Sequence, residues 1–305
     1  MNSITVLNQV LVLLLIMGTG FYSKKIDLLD ENVNRKLSGL LLKITNPLLV
    51  ISSFQVVYEK ELMISLLIVF IFSVAAHTLS SILSQLLFIG YGESKKKIMK
   101  FSAIYSNCGF VGFPILDSLF GSTGILLGSV YVAVFNIFLW TNGVVIFRKE
   151  KTLGKAALVK AFINPGIISV LTGLVLFIFS IDLPYPLTQS IHLIGSMTIP
   201  LSMLIVGANI ANCKLSTLFK GIELYFSAFV RLLLIPVLVY LIMKLLGFSD
   251  MLLSTCVLLV AMPAAATTTI FAEMYDGDTS FASRVVAFTT LLSTVTIPLI
   301  MLLIQ

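Results

Sequence analysis

SNCGFVGFPIL fills residues 106–116, and MPAAATTT fills residues 262–269. Each stretch lies in the middle of an apolar run long enough to cross a bilayer, which takes about 20 residues. Each also carries a proline where a helix should continue. Proline has no N–H, and its ring clashes with the carbonyl four residues back, so Pro114 frees the Phe110 carbonyl and Pro263 frees that of Leu259. Broken backbone at membrane depth survives only where protein buries it or it lines a wet cavity. Paired breaks in corresponding helices point to a binding site near the bilayer midplane. A single proline can be a mere kink, but this pair lies beside Asn107 and the small, hydroxylated run Ala264 to Thr269. If the two segments cross, their half-helix N-termini present unpaired N–H groups that suit an anion, and their freed carbonyls suit a cation.

The rest of the chain agrees with a membrane setting. Of 305 residues, 58% are hydrophobic and 11% charged, with a mean hydropathy of +1.07. A soluble domain is apolar at only about half its positions. The charges, which sum to +6, gather between apolar runs instead of alternating through them, so polar residues mark loops. Lysines confined to short loops such as Ser94 to Lys100 exclude a nucleic-acid surface, which needs basic residues spread over a folded face. Cys108, Cys213 and Cys256 fall in or beside apolar segments without a CxxC pair, and they read as packing residues. No basic region precedes Ile4 to Tyr22 and no small-residue cleavage site follows Gly20, so that segment reads as a retained helix.

About ten spans follow, at 4–22, 36–55, 62–90, 98–120, 122–147, 163–181, 187–210, 218–246, 250–274 and 281–304. The expected fold class is therefore an all-α polytopic membrane protein. Loops after odd-numbered spans hold most of the Lys and Arg, among them Lys24, Lys25, Lys95 to Lys97, Lys149, Lys151 and Lys220. Loops after even-numbered spans hold only Lys60 and Lys244. Cytoplasmic loops are the basic ones, so both termini are expected outside a bacterial-type plasma membrane. A basic linker at 151–162 divides residues 1–150 from 163–305, about five spans each. An odd number of spans makes the second half enter from the opposite side, the arrangement of inverted repeats. Further punctuation at Asn46-Pro47 and Ile199-Pro200 predicts breaks in spans two and seven, matching those in spans four and nine.

These residues resemble the auxin efflux carrier family, which includes plant auxin carriers and bacterial malate and malonate permeases. The resemblance runs through SNCGFVGFPIL, FNIFLWTNG at 135–143, NPGIISVLTGL at 164–174, IPLSMLIVGANI at 199–210, MPAAATTTIFAEMYDGD at 262–278 and LLSTVTIPL at 291–299. It is the order and spacing of these strings together that is specific. The resemblance implies ten helices with crossing fourth and ninth helices, and an elevator-like alternation between a scaffold and a transport domain. It also implies that Asn107 stands at the crossover, Pro263 opposite it, and Asn136 on helix five facing a substrate. Cys108, Gly109, Ala264 and Thr267 complete the expected binding set. Pro47, Gly112, Pro114, Pro200, Met262 and Pro263 are the expected helix breaks. Two positions depart from the plant carriers, Ser106 where they have proline and His77 where they have aspartate, and the second leaves the coupling mechanism open.

Ionisable groups inside a bilayer are costly and face the bundle interior. Arg231, near the middle of span eight, is a candidate either to attract an anion or to serve freed carbonyls. His77 can shuttle a proton at physiological pH or be a packed, satisfied side chain. Glu273, near the end of span nine, reads as a solvated or capping residue more readily than a coupling acid.

The expected function is secondary transport of a small organic anion such as a carboxylate. No metal or organic cofactor is expected, and a proton or sodium ion would provide coupling. The partners implied are the substrate, the lipid bilayer and a second copy of the chain as a homodimer. Alternatives are a sodium-coupled transporter of another substrate class, similar to bile-acid symporters, and a membrane ligand sensor. An intramembrane enzyme is disfavoured: no HExxH or GxSxG is present, and Tyr275-Asp276-Gly277-Asp278 lies in a loop.

Overall fold

The computed structural model describes residues 3–147, 159, 163–211, 218–248 and 250–304. The basic linker, Cys213 and Lys214 lie outside the described residues. Among the described residues the chain is helical throughout, with one isolated antiparallel bridge. Five helical stretches are long and apolar enough to cross a membrane: Lys60–Leu87, Cys108–Phe147, Tyr185–Ala211, Ile222–Leu245 and Thr279–Ile304. Apolar side chains cover much of the exterior, including Leu67, Phe70, Ile71, Ile82, Leu86 and Phe179. That exterior is the surface of an all-α polytopic membrane protein, because only lipid makes such a face favourable.

The elements in order are α1 (Ser3–Lys25), α2 (Glu31–Leu40), α3 (Asn46–Ser53), α4 (Lys60–Leu87), α5 (Glu93–Ile104), α6 (Phe113–Phe138), α7 (Val144–Phe147), α8 (Pro165–Ile178), α9 (Tyr185–Ser196), α10 (Thr198–Ala211), α11 (Ile222–Phe229), α12 (Ile235–Leu245), α13 (Asp250–Ala261), α14 (Thr267–Met274) and α15 (Thr279–Ile304). Four π-helical turns join neighbours: Leu41–Thr45, Cys108–Gly112, Leu139–Gly143 and Val230–Leu234. α2 begins where the Asp30 carboxylate accepts from Val33 N–H at 2.7 Å. The expected span began at 36, past that cap. Within α6 the chain reverses at Gly121 (φ 58°, ψ −147°), a conformation that side chains disfavour. This is the boundary expected between spans four and five.

Two expected breaks are not breaks. Helix runs on both sides of Pro47, because the π-turn just before it widens the backbone where the proline ring would clash. Pro200 is the third residue of α10, where no intrahelical donor is lost, and the discontinuity falls at Met197 instead.

The helices pack as two groups. In one, α1 lies along α10 and α3 is held between α8 and α9. A hydrogen bond from Asn34 Nδ2 to Asn209 Oδ1 at 2.7 Å ties α2 to α10. In the other, α4, α5, α6 and α11 to α15 surround the two broken segments. The groups meet where α3 and α8 touch α6 and where α10 touches the Cys108–Gly112 turn. That seam runs past the crossover.

Candidate functional site

The two proline-bearing segments meet. α5 stops at Ile104, and Tyr105 is extended (φ −100°, ψ 109°). α13 stops at Ala261, and the chain between it and α14 runs antiparallel to the first, with Ser106 opposite Ala264. Asn107 N–H donates to the Pro263 carbonyl at 2.7 Å, and Ala265 N–H donates to the Tyr105 carbonyl at 2.9 Å. Two interrupted helices thus satisfy part of their broken backbone on each other, as burial requires.

Side chains satisfy the rest. The Leu259 carbonyl, left unpaired by Pro263, accepts from Ser106 Oγ at 2.9 Å. The departure at position 106 therefore supplies the donor that the break needs. Thr289 on α15 accepts from Ala264 N–H at 3.1 Å. Arg231, in the π-turn between α11 and α12, donates through Nε to the Met262 carbonyl at 3.1 Å and through Nη1 to the Ala103 carbonyl at 2.7 Å. Ser106→Ala is expected to leave the buried Leu259 carbonyl without its donor and to cost about 1–3 kcal/mol of stability. Thermal unfolding in detergent would read this, and an unchanged midpoint would show that the hydroxyl contributes nothing.

The electrostatics are asymmetric. Ala103 and Met262 lie at the C-terminal ends of α5 and α13, and each helix C-terminus carries about half a negative charge. One guanidinium, 1% exposed, bridges both ends and balances them. The opposite ends, the N-termini of the Cys108–Gly112 turn and of α14, carry the matching positive half-charges. The first N–H groups of a helix have no carbonyl in their own helix. Among the described residues no acidic side chain bonds these N-termini. The Asn107 side-chain amide forms no hydrogen bond among the described residues, although Asn107 is buried. The hydroxyls of Thr267 and Thr268 at the start of α14 are likewise buried without a partner among them.

The structure brings Asn107, Cys108, Gly109, Met262, Pro263 and Ala264 together at the crossover, with Thr267 opening the helix that leaves it. Gly112 packs on α13: a Cβ added there would lie 3.3 Å from Leu259 Cδ2. Pro114 sits in the first turn of α6, which follows the π-turn without a break. Asn136 lies on the seam between α6 and α8. Its Nδ2 donates to the Val132 carbonyl at 2.9 Å and faces Gly166 at the start of α8. His77 is buried beside the crossover in a ring of Tyr105, Tyr131, Phe135 and Phe138, with centroids 5.1 to 6.3 Å away. Its Nδ1 meets the Ser73 carbonyl at 2.8 Å, and Nε2 is buried without a hydrogen bond among the described residues. Glu273 is exposed near the end of α14, away from the crossing.

One residue outside the expected set joins the site. Asn46, the first residue of α3, points its amide across the seam at Gly109, with Nδ2 3.9 Å from where a Cβ would stand. An asparagine inside an apolar span was the available signal, since such a polar group needs a reason to be there.

The sequence model of a family described as "Membrane transport protein" matches residues 5–156 and 148–301. An uncharacterized transporter of Methanothermobacter thermautotrophicus is 24% identical over 98% of this chain and 97% of its own. An uncharacterized transporter of Methanocaldococcus jannaschii is 23% identical over 96% of this chain and 97% of its own. A Rhizobium meliloti protein named "Putative malonate transporter" is 29% identical over 47% of this chain and 44% of its own.

Proposed function

The chain belongs to this family of membrane transport proteins, and from that premise we propose that it carries a small organic anion, of carboxylate type, held at the crossover of the two broken segments. The observation that carries the reading is the one-sided compensation of the crossing helices. Arg231 balances the two C-termini, while among the described residues no acidic side chain bonds the two N-termini and the Asn107 amide has no hydrogen-bond partner. An anion supplies the missing charge, and a carboxylate can accept from Asn107 Nδ2 and from helix-start N–H groups together. The part-chain likeness to a protein named for malonate transport points to the same ligand class.

Transport requires the loaded crossover to be exposed to each side in turn. The packing supports a division of labour. The group around the crossover is the moving body, the group of α1 to α3 and α8 to α10 is the scaffold, and Asn46 presents a scaffold amide to the bound anion. Coupling rests with a proton or sodium ion. His77, buried against Tyr105, stands where its protonation would be felt at the crossover.

Asn107→Ala removes the free amide without adding bulk. It is expected to weaken binding or uptake by about 1–3 kcal/mol, roughly five- to 150-fold. Uptake of labelled malate, malonate and other small acids into proteoliposomes, with and without imposed proton or sodium gradients, measures this. Gradient-driven uptake lost in Asn107→Ala supports the reading, and wild-type rates in the variant overturn the site.

A further inference from the structure

A cavity of about 320 Å³ lies in the same helical group as the crossover. Its walls come from the end of α4 (Ser81, Ser84), the basic face of α5 (Lys96, Lys97, Lys100) and the π-turn before α7 (Asn142). Three ammonium groups and the Glu93 carboxylate line it, which leaves two net positive charges. Lys96, 3.0 Å away, holds the Glu93 carboxyl below the usual carboxylate range, so the acid remains ionised and occupies one lysine only. Lys97 is anchored to the Phe147 carbonyl at 3.0 Å, which aims its ammonium and uses one of its three donors. Lys100, partly buried, has no hydrogen bond or ion pair among the described residues.

Like charges crowded into a recess are unfavourable unless something neutralises them, and partial burial weakens the screening by water. Helix α5 could have spread these lysines toward solvent, yet positions 96, 97 and 100 share one face through i, i+3 and i, i+4 spacing. Asn142 has a donor to spare: its Oδ1 faces Tyr105 Oη at 3.5 Å, and no hydrogen bond of its Nδ2 exists among the described residues. Ser81 and Ser84 give their protons to their own helix, at 2.7 Å and 2.9 Å, and turn their oxygens to the cavity.

We infer that this cavity is a separate site for a dianionic oxyanion group, such as a phosphate monoester, held by Lys97, Lys100 and Asn142. Two charges match two charges. The volume admits a phosphate with a few carbons attached and no macromolecule. The same chemistry is available from a free phosphorylated metabolite or from the headgroup of an acidic lipid. Tyr105 links the site to the crossover, since its hydroxyl faces Asn142 while its carbonyl forms part of the antiparallel bridge.

The test is thermal unfolding of the full chain titrated with inorganic phosphate, against chloride at matched ionic strength. Binding to the folded state raises the midpoint by mass action. The expected result is a saturable rise in wild type and in Asn107→Ala, an apparent affinity about tenfold weaker in Lys100→Gln, and recovery in Lys100→Arg. Nanodiscs of phosphatidylcholine with and without phosphatidic acid form the second arm. Stabilisation by phosphatidic acid alone assigns the site to lipid, and stabilisation by phosphate alone assigns it to a free anion. Stabilisation in neither arm, or an equal rise in Lys100→Gln, overturns the proposal. Because Asn107→Ala retains the effect, failure of the crossover reading leaves this result standing.

Discussion

Arg231→Met is expected to destabilise the protein by about 3 kcal/mol. The side chain is 1% exposed and donates to two carbonyls at helix C-terminal ends, Ala103 at 2.7 Å and Met262 at 3.1 Å. A hydrogen bond to a charged donor contributes about 1.5–3 kcal/mol, so the two together contribute about 3–6. Methionine fills most of the arginine stem and returns the desolvation of a buried cation, which offsets part of that loss. The offset is partial because two helix C-termini already balance the charge. A fall in thermal midpoint of about 5 °C in detergent follows for a chain of 305 residues. Arg231→Lys keeps the charge but has no planar fork to reach both carbonyls, and it should lie between the two. A midpoint for Arg231→Met within a degree of wild type would mean that the crossover does not depend on this brace.

The same residue marks the limit of what the sequence reveals. Its burial in an apolar span and its two possible duties were legible, since a charge in span eight must face the interior. Its partners were not, because they lie 128 and 31 residues away and are brought together only by the crossing. The break at Pro263 was legible for a local reason, since proline interrupts a helix wherever no neighbour compensates, whereas the break before Cys108 lies ahead of Pro114, which the π-turn absorbs. Pro47 and Pro200 show the converse, as a π-turn and an early position in the helix absorb them without a break. The reversal at Gly121 was legible as the gap between two apolar runs. The rotation of α3 that turns Asn46 toward Gly109 was not, since it is set by packing between α8 and α9. Ser106 was noticed as a departure, and its duty at the Leu259 carbonyl needed the fold.

The second large effect concerns the scaffold rather than the site. α1 and α10 approach so closely that a Cβ on Gly207 would collide with the Met17 carbonyl oxygen, and one on Gly20 would collide with that of Leu204. Small residues at such positions let helices pack backbone to backbone, which is how helices associate where lipid removes the hydrophobic drive. A side chain at either glycine meets a carbonyl fixed in its own helix, so nothing can step aside and the helices must part. Overpacking in a core usually costs about 1–3 kcal/mol, and with backbone as the obstacle Gly207→Leu is expected to cost about 3 or more. Gly18 provides the control within α1: it is exposed, and an added Cβ there meets no atom within 4 Å. Gly18→Leu should therefore be neutral or gain up to about 1 kcal/mol from helix propensity. Because α10 also touches the Cys108–Gly112 turn and α1 touches α15, parting α1 from α10 disturbs the seam against which the crossover must move. Uptake should then fall in Gly207→Leu and hold in Gly18→Leu. Equal midpoints for the two variants would deny the close approach of α1 and α10. A large loss of stability with normal uptake per folded molecule would deny that the scaffold positions the seam.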